Sequence, residues 1–410
     1  MYIQQTTIQN IERSEIKKSE LRKVRVVSIY VFLSGFVYFE PSFAEIFFVL
    51  TIPFLLLSIR FDQRITFVTM ILFISESVSL FRGNLFGWLD LQYIFRYTLI
   101  DFYLILLFLI FGSVVKQIKN QELLITSAMK LWTVAAFINI LGCLVASLTG
   151  QTTFLGTNML MYGIRFKGFF KDTNVLGPFL TIPALFWFEK YLKNYKKNWL
   201  YLVISLFIMM GIVLTFSRAA WLNIFFSVLI LLFLNLKKIN LRNYFRIFAF
   251  LFVIFILLMF ILESNITILG YNLSDFFINR LGLQSYDQDR FEAQRAFIKG
   301  LENAPFFGIG PGNYRQLSEG YDTHSLYFRT LGEKGIFGLF VLALLVIISL
   351  KNFWKIRKEY AFLLAGFIGN LINSIFVDTW HWRHLWILFV FGFALQKFGM
   401  NDRKSKIETD

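Results

Sequence analysis

The sequence contains few charged residues, few histidines and a single cysteine, and each shortage narrows the class of protein. Only 16% of its 410 residues are charged, against about 25% in soluble domains. By contrast, 57% are hydrophobic and 52 are phenylalanine. This composition excludes an ordinary soluble domain and indicates a polytopic membrane protein. Cys143 lies in an apolar run, which excludes a disulfide framework and a cysteine-based metal site.

Apolar runs predict the membrane-spanning elements. Crossing a hydrocarbon core takes roughly 20 helical residues, so the sequence predicts an all-α polytopic membrane protein with about 12 transmembrane helices. The first 24 residues are polar, so we expect no cleavable signal peptide and expect the first apolar helix to act as the insertion signal. The predicted helices lie near residues 25–40, 43–59, 65–81, 97–115, 123–148, 173–189, 199–216, 219–236, 246–263, 324–350, 359–377 and 384–398.

The positive charge of the chain is explained mainly by topology. A formal charge of +15 indicates nucleic acid binding only where the cations gather on one soluble face. Here most cations fall in loops on the side of the N-terminus, and cationic short loops mark the cytoplasm. We therefore expect no nucleic acid partner, and both termini in the cytoplasm. The predicted regions are a cytoplasmic segment 1–24, helices one to nine in 25–263, a long periplasmic loop 264–323, helices ten to twelve in 324–398 and a cytoplasmic tail 399–410.

Arg218 interrupts a long apolar stretch, "GIVLTFSRAAWLNIFFSVLILLF" at 211–233. The runs 199–216 and 219–236 would overshoot the bilayer if they formed one helix, because each residue adds 1.5 Å. The chain is therefore predicted to fold back, with Arg218 at the tip of a hairpin. An arginine at membrane depth costs about 2.5–3.5 kcal/mol and is a functional candidate by default. Anchoring to lipid headgroups is the simpler alternative.

Arg218 is one of a group of cations predicted to lie outside the cytoplasm, against the topological trend. An anionic ligand at the outer membrane boundary accounts for them, since arginine offers a planar fork that matches phosphate oxygens. The group consists of Arg82, Arg96, Arg165, Lys167, Lys171, Arg218, Arg280, Arg290, Arg295, Lys299, Arg315 and Arg383.

Four stretches of the predicted outer segments occur in a characteristic order and spacing. They are "RFKGFFKDTNVLGPFL" (165–180), "TFSRAAWL" (215–222), "DRFEAQRAFIKGLENAPFFGIGPGNY" (289–314) and "HSLYFRTLGEKGIFGLF" (324–340). Together they make the chain resemble the O-antigen ligase and polymerase family of bacterial envelope glycan enzymes. One departure lies in Asp172-Thr173-Asn174, where a proline is expected between Asp and Asn.

The resemblance implies a metal-independent, inverting glycosyltransferase of the bacterial inner membrane that needs no cofactor. It implies transfer of a glycan from undecaprenyl pyrophosphate to an acceptor at the periplasmic face, within the membrane lipids. The acceptor is a lipid A core sugar for a ligase or another glycan for a polymerase, and the sequence leaves that choice open.

The residues of the motifs suit this reaction. A pyrophosphate leaves as an anion, so the site needs fixed cations and a base for the hydroxyl. We assign His324 as the candidate base. The candidate pyrophosphate and glycan ligands are Arg165, Arg218 and Arg290, and the supporting residues are Asp172 and Asn174.

Each assignment has a structural alternative. For His324 the alternative is a cap of the helix that follows, and for Arg290 it is a solvated ion pair with Asp287 or Glu292. Asp287 and Asp289 resemble the acidic pair of metal-dependent sugar transferases, but this match is weak and we expect no metal. Arg329 and Glu333, one helical turn apart, are predicted to neutralise each other.

Two other classes of function compete with the enzyme. A transporter or flippase for a lipid-linked oligosaccharide would show an internal repeat and polar breaks near mid-membrane. Here no repeat is found, and the unusual residues gather at one face. A metal-dependent polyprenyl-phosphate glycosyltransferase would carry an acidic pair in its first outer loop, where this chain has only Glu40-Pro41-Ser42.

Overall fold

The computed structural model describes residues 2–85, 91–194, 198–235, 267–282, 285–318 and 320–396. These parts are mostly helical, with three short hairpins whose strands are two residues long. The helices are α1 Tyr2–Leu33, α2 Phe43–Leu56, α3 Gln63–Leu85, α4 Leu91–Gln117, α5 Gln121–Thr149, α6 Thr173–Asn194, α7 Leu200–Val213, α8 Arg218–Asn235, α9 Leu273–Leu281, α10 Ser285–Arg295, α11 Phe297–Asn303, α12 Tyr314–Leu317, α13 Leu326–Ile356, α14 Ala361–Asn373 and α15 Arg383–Ala394. The strands are β1 Thr153–Phe154, β2 Thr157–Asn158, β3 Leu160–Met161, β4 Arg165–Phe166, β5 Thr267–Ile268 and β6 Tyr271–Asn272. The antiparallel pairs are β1 with β2, β3 with β4, and β5 with β6.

Each predicted membrane span other than 246–263 overlaps a helix, and the span 246–263 lies outside the described residues. Five helices of the described ranges are long and apolar enough to cross a membrane: Gln63–Gly83, Ile94–Gln117, Gln121–Thr149, Arg218–Asn235 and Leu326–Ile356. Four shorter apolar helices are Phe43–Leu56, Leu200–Val213, Ala361–Asn373 and Arg383–Ala394. The multi-helical membrane architecture is therefore confirmed, while the count of about 12 spans stays a prediction.

The first predicted span, 25–40, is wrong at both ends. The helix α1 begins inside the polar segment, at Tyr2, and ends at Leu33. A Cβ atom on Gly35 would lie 3.0 Å from the Cβ of Ala135 and from the ring of Phe179. Neighbouring helices thus approach the backbone closely where the helix stops, and this contact is invisible in the apolar run itself.

The last predicted span, 384–398, corresponds to a short helix in the interior of the bundle. All the residues of α15 are buried, and the helix ends at Ala394. Its 12 residues cover only about 18 Å. It packs against α4 and α13, so protein rather than lipid surrounds it. An apolar run alone does not distinguish these two surroundings.

The helices α6, α7, α8 and α14 form a second packed group. A Cβ atom on Gly177 of α6 would lie 2.3 Å from the Cβ of Ala220 of α8, so these two helices make close backbone contact. On its other side, α8 packs against α14, where Gly369 lies against the side chains of Asn223 and Ser227. This packing fixes the first turn of α8 beside the first turn of α6.

The helix α13 is broken at Gly335, which has a φ of +64°, although the sequence predicted one continuous span over 324–350. The break is bridged by the preceding loop. Ile309 N donates to Gly332 O at 3.1 Å, and Ile336 N donates to Pro305 O at 2.9 Å. The stretch "GIGPGNY" at 308–314 forms a compact turn, with Gly308 at a φ of +69°. It ties the loop before α13 to the helix bundle.

Candidate functional site

The turn between α7 and α8 presents Arg218 as predicted, because α7 ends at Val213 and α8 begins at Arg218. Phe216 in this turn has a φ of +50°, which is strained for a bulky side chain. Its buried ring packs against Phe276 and Phe277 of α9. The strand β4 lies along the turn, since Phe166 N donates to Leu214 O at 2.9 Å.

The first two sequence motifs meet at this turn. Ser217 Oγ donates a hydrogen bond of 2.7 Å to Asn174 Oδ1. Asp172 Oδ1 accepts from the backbone N–H of Asn174 at 2.8 Å. Asp172 therefore caps the start of α6 although Thr173 replaces the expected proline. Asn174 in turn holds the residue that precedes Arg218.

Arg218 reaches across to the segment that precedes the third motif. Its Nη1 donates to Gly282 O at 3.0 Å, and its Nη2 lies 2.5 Å from Asp287 Oδ1. The arginine side chain is 29% exposed and the aspartate 8%. A guanidinium has five N–H donors, so these contacts orient it while leaving other donors toward the cavity.

A cavity of about 230 Å³ brings together five of the six predicted site residues. Arg165, Arg218, Arg290, His324 and Asn174 all line it. Asp172 does not line the cavity, but it accepts a hydrogen bond from the backbone N–H of Asn174. The remaining lining residues are Phe216, Ser217, Ala219, Leu222, Arg280, Asp287, Phe291, Gln294, Phe376 and Val377.

Positive charge dominates this cavity. Among the residues that the structure describes, four arginines line it, against one carboxylate, that of Asp287. Arg165 is buried, and its Nε donates to Thr215 O at 3.0 Å. Arg280 stands over the ring of Phe276 at 5.8 Å. Low-dielectric walls strengthen such a field, so the cavity suits an anionic ligand of phosphate type.

His324 lies at the start of the segment that leads into α13. Its pKa is lowered from the usual 6.5, first by burial and then by Arg290, although Asp172, Asp322 and Asp378 raise it. Gln294 Nε2 donates to the carbonyl oxygen of His324 at 3.4 Å, which links this segment to α10. The imidazole is therefore held in its neutral form near pH 7, and neutral imidazole is the form that accepts a proton.

The other two histidines lie away from the four arginines. Both line a neighbouring cavity of about 330 Å³. His381 Nε2 lies 2.8 Å from Asp101 Oδ1. His384 is buried between the rings of Phe179 and Trp382.

Ion pairs hold together the walls of this neighbouring cavity. Arg96, Lys171 and Arg383 surround the carboxylate of Glu40. Asp378 pairs with Arg329 at 2.6 Å. Arg329 also lies 3.2 Å from Glu333, so these two side chains form an ion pair that Asp378 shares. The two cavities are adjacent at two points. Asn174 and Val377 line the cavity with His324, and the next residues, Val175 and Asp378, line its neighbour.

Sequence reasoning missed two members of the site. Arg280 was one of the predicted outer cations, and its position against the topological trend was the signal available for it. Asp287 was weighed as a metal ligand or as a partner of Arg290, and its ion pair with Arg218 was not foreseen. Within the described ranges there is no group of three or more His, Cys, Asp or Glu side chains placed to hold a metal.

Residues 201–343 match a family model described as O-antigen ligase. The matched region is roughly a third of the chain and includes Arg218, Arg290 and His324. It supports the resemblance seen in the motifs: residues 201–343 are similar to the O-antigen ligase family. Together with the apolar helices, this similarity supports the prediction of a multi-pass inner-membrane protein that takes part in glycan transfer. No curated protein matches the chain.

Proposed function

We propose that this protein is a membrane glycosyltransferase that moves a glycan from undecaprenyl pyrophosphate to an acceptor sugar hydroxyl at the periplasmic face. One observation carries the proposal. Four arginines and His324, drawn from widely separated parts of the chain, line one cavity, and most of them fall within the family match. Cations for a leaving anion and a base for a hydroxyl are the two requirements of this reaction.

The arginines take the donor side of the reaction. Arg218 offers a fork oriented by Asp287 and Gly282, and Arg165 adds a buried charge. Preformed cations stabilise the charge that develops on the pyrophosphate as its bond to the sugar breaks. Four guanidinium groups supply the positive charge that a divalent cation would otherwise provide, so we propose that transfer is metal-independent.

His324 takes the acceptor side. The acceptor oxygen forms a bond to the anomeric carbon of the donor sugar, and its proton passes to a ring nitrogen of His324. The electron pair of the broken bond leaves with undecaprenyl pyrophosphate. Attack from the side opposite the leaving group inverts the anomeric configuration. The lowered pKa of His324 keeps the base unprotonated at neutral pH.

The metal-independent reaction is tested directly in detergent. We expect glycan transfer by the purified protein to continue in EDTA, because the arginines carry the counter-charge. Loss of turnover that Mg²⁺ or Mn²⁺ restores would contradict the proposed mechanism. In that case the carboxylates of Asp287 and Asp289 become the first candidates for metal ligands.

Ligase and polymerase differ in the acceptor, which gene deletion in the host distinguishes. A surface glycan gel that shows polymer but no lipid-linked ladder identifies a ligase. A gel that shows single repeat units identifies a polymerase. A transporter or flippase predicts a third outcome, in which the purified protein binds the lipid-linked glycan but transfers nothing to any acceptor.

A further inference from the structure

A third cavity lies at the opposite ends of the same helices and has no part in the proposed reaction. Its volume is about 610 Å³, larger than that of either cavity near His324. It is formed by the first turns of α3, the end of α4, the end of α13 and the end of α15. The lining residues are Asp62, Gln63, Arg64, Phe67, Val68, Lys116, Leu344, Ile348, Lys351, Asn352, Lys355, Ile356, Phe393, Leu395 and Gln396.

The separation of the two sites matches the thickness of a membrane. On α4, Tyr97 lines a cavity at one end and Lys116 lines this one at the other. At 1.5 Å per residue these positions are roughly 28 Å apart along the helix, close to the hydrocarbon thickness of about 30 Å. The third cavity therefore lies at the headgroup level of the other leaflet.

Four cations and one carboxylate, that of Asp62, are found among the described residues that line this cavity. The carboxylate is engaged by the backbone. Asp62 Oδ1 accepts from the backbone N–H groups of Arg64 at 3.1 Å and of Ile65 at 3.2 Å, so this carboxylate caps the start of α3. Within the part of the chain that the structure describes, the side chains of Arg64, Lys116, Lys351 and Lys355 form no ion pair with an acidic residue. The pocket therefore carries an excess of positive charge.

The wall below these cations is apolar and open to the membrane. Phe67 is 63% exposed, and Leu344 and Ile348 are half-buried beside it. Phe393 and Leu395 close the inner side of the cavity. A cationic rim above an apolar wall matches a molecule with an anionic head and a hydrocarbon chain.

We propose that this cavity binds an anionic phospholipid of the leaflet opposite the catalytic face. The phosphate contacts Lys116, Lys351 and Lys355, and an acyl chain lies along Phe67 and Leu344. Basic pockets between transmembrane helices bind anionic headgroups in this way. A soluble phosphate shares the head chemistry but leaves the apolar wall uncovered, which is why the cavity selects a lipid.

The test is a titration of the purified full chain with phosphatidylglycerol, with bound lipid counted by native mass spectrometry. In Lys351→Gln/Lys355→Gln the affinity should fall on the order of thirtyfold, since each cation near a membrane surface contributes about a fivefold factor in affinity. Lys351→Arg/Lys355→Arg keeps the charges and should retain binding. Leu344→Trp fills the apolar wall, leaves every charge in place and should weaken binding too.

Matched controls separate this site from general attraction to a basic surface. Arg22 and Lys119 are exposed cations. They lie near the same end of the bundle, since the backbone N–H of Asn120, just beyond α4, donates to the carboxylate of Glu20. Arg22→Gln/Lys119→Gln should bind phosphatidylglycerol as the wild type does, and phosphatidylcholine should bind weakly to all variants. Equal loss in the control pair, or undiminished binding in Lys351→Gln/Lys355→Gln, overturns the proposal. Displacement of the lipid by glycerol phosphate at equal concentration also overturns it, in favour of a soluble anion.

Discussion

The guanidinium of Arg218 and the carboxylate of Asp287 lie 2.5 Å apart, although 69 positions separate them in the chain. This ion pair joins the first residue of α8 to the first turn of α10. It also explains why the arginine tolerates its position, because a charged hydrogen-bond partner compensates for lost water. The guanidinium plane is thereby fixed toward the cavity that His324 also lines.

Replacement of Asp287 by Asn should separate orientation from charge. The amide keeps the shape and one acceptor, but the charge-assisted hydrogen bond, worth about 1.5–3 kcal/mol, is weakened. We expect glycan transfer to fall by roughly tenfold or more while donor affinity is maintained, since the cation itself remains. Transfer rates and donor binding measured on Asp287→Asn and wild type check this. Unchanged transfer would mean that the ion pair is only structural.

The acid limb of the pH profile should report the pKa of His324. That pKa lies below its usual 6.5, so the histidine stays neutral, and activity is lost only as the pH falls through the lowered value. Arg290→Gln removes a cation that lowers the pKa, so the acid limb of kcat/KM should move to higher pH. Asp172→Asn removes a carboxylate that raises it, so the limb should move to lower pH.

These opposite shifts are the diagnostic result of the pH experiment. A change in general stability or in membrane abundance would lower the whole profile without moving its limb. His324→Ala should reduce transfer by about 10²–10⁴ and remove the limb. The assignment of His324 as the base fails if both substitutions move the limb in one direction, or if the limb persists in His324→Ala.

The contact between α6 and α8 predicts a stability change with a rescue. A methyl group on Gly177 would lie 2.3 Å from the Cβ of Ala220, and overpacking of this kind costs about 1–3 kcal/mol. We expect Gly177→Ala to lower the thermal stability in detergent and to reduce transfer, since Asn174 and Ser217 are separated. Gly177→Ala/Ala220→Gly should recover both.

Gly142 offers a control for this experiment. A Cβ atom there meets only the side chain of Met159, at 3.4 Å, and alanine favours the helix by about 1 kcal/mol. Gly142→Ala should therefore leave stability unchanged or raise it. A stable Gly177→Ala protein, or a double variant that is no better than the single one, would show that the two helices separate freely.

The sequence predicted much of the candidate site because its motifs carry their chemistry in short stretches. The asymmetry of the cations gave a group of twelve, and the motifs of the family resemblance selected Arg165, Arg218 and Arg290 from it and added His324. The fold-back at Arg218 followed from helix length alone. These signals are local, so no knowledge of the packing was needed to read them.

What the sequence did not predict depends on contacts between distant segments. The pairing of Arg218 with Asp287 joins two motifs whose spacing gives no geometric constraint. The break at Gly335 arises because backbone groups around Pro305 and Ile309 replace hydrogen bonds of the helix. The interior position of α15 was equally hidden, since a buried helix and a lipid-facing helix share the same apolar composition.

The most direct test of the proposed mechanism is glycan transfer by Arg218→Lys at equal membrane abundance, with donor binding measured separately. Lysine keeps the charge but loses the planar fork that contacts Asp287, Gly282 and the proposed pyrophosphate. Our account predicts that transfer falls by about 10²–10³, the usual cost of losing one preorganised donor. A lysine that only anchors the helix end to lipid headgroups would serve as well as arginine. Transfer near the wild-type rate in Arg218→Lys would therefore contradict the assignment of Arg218 to the donor pyrophosphate.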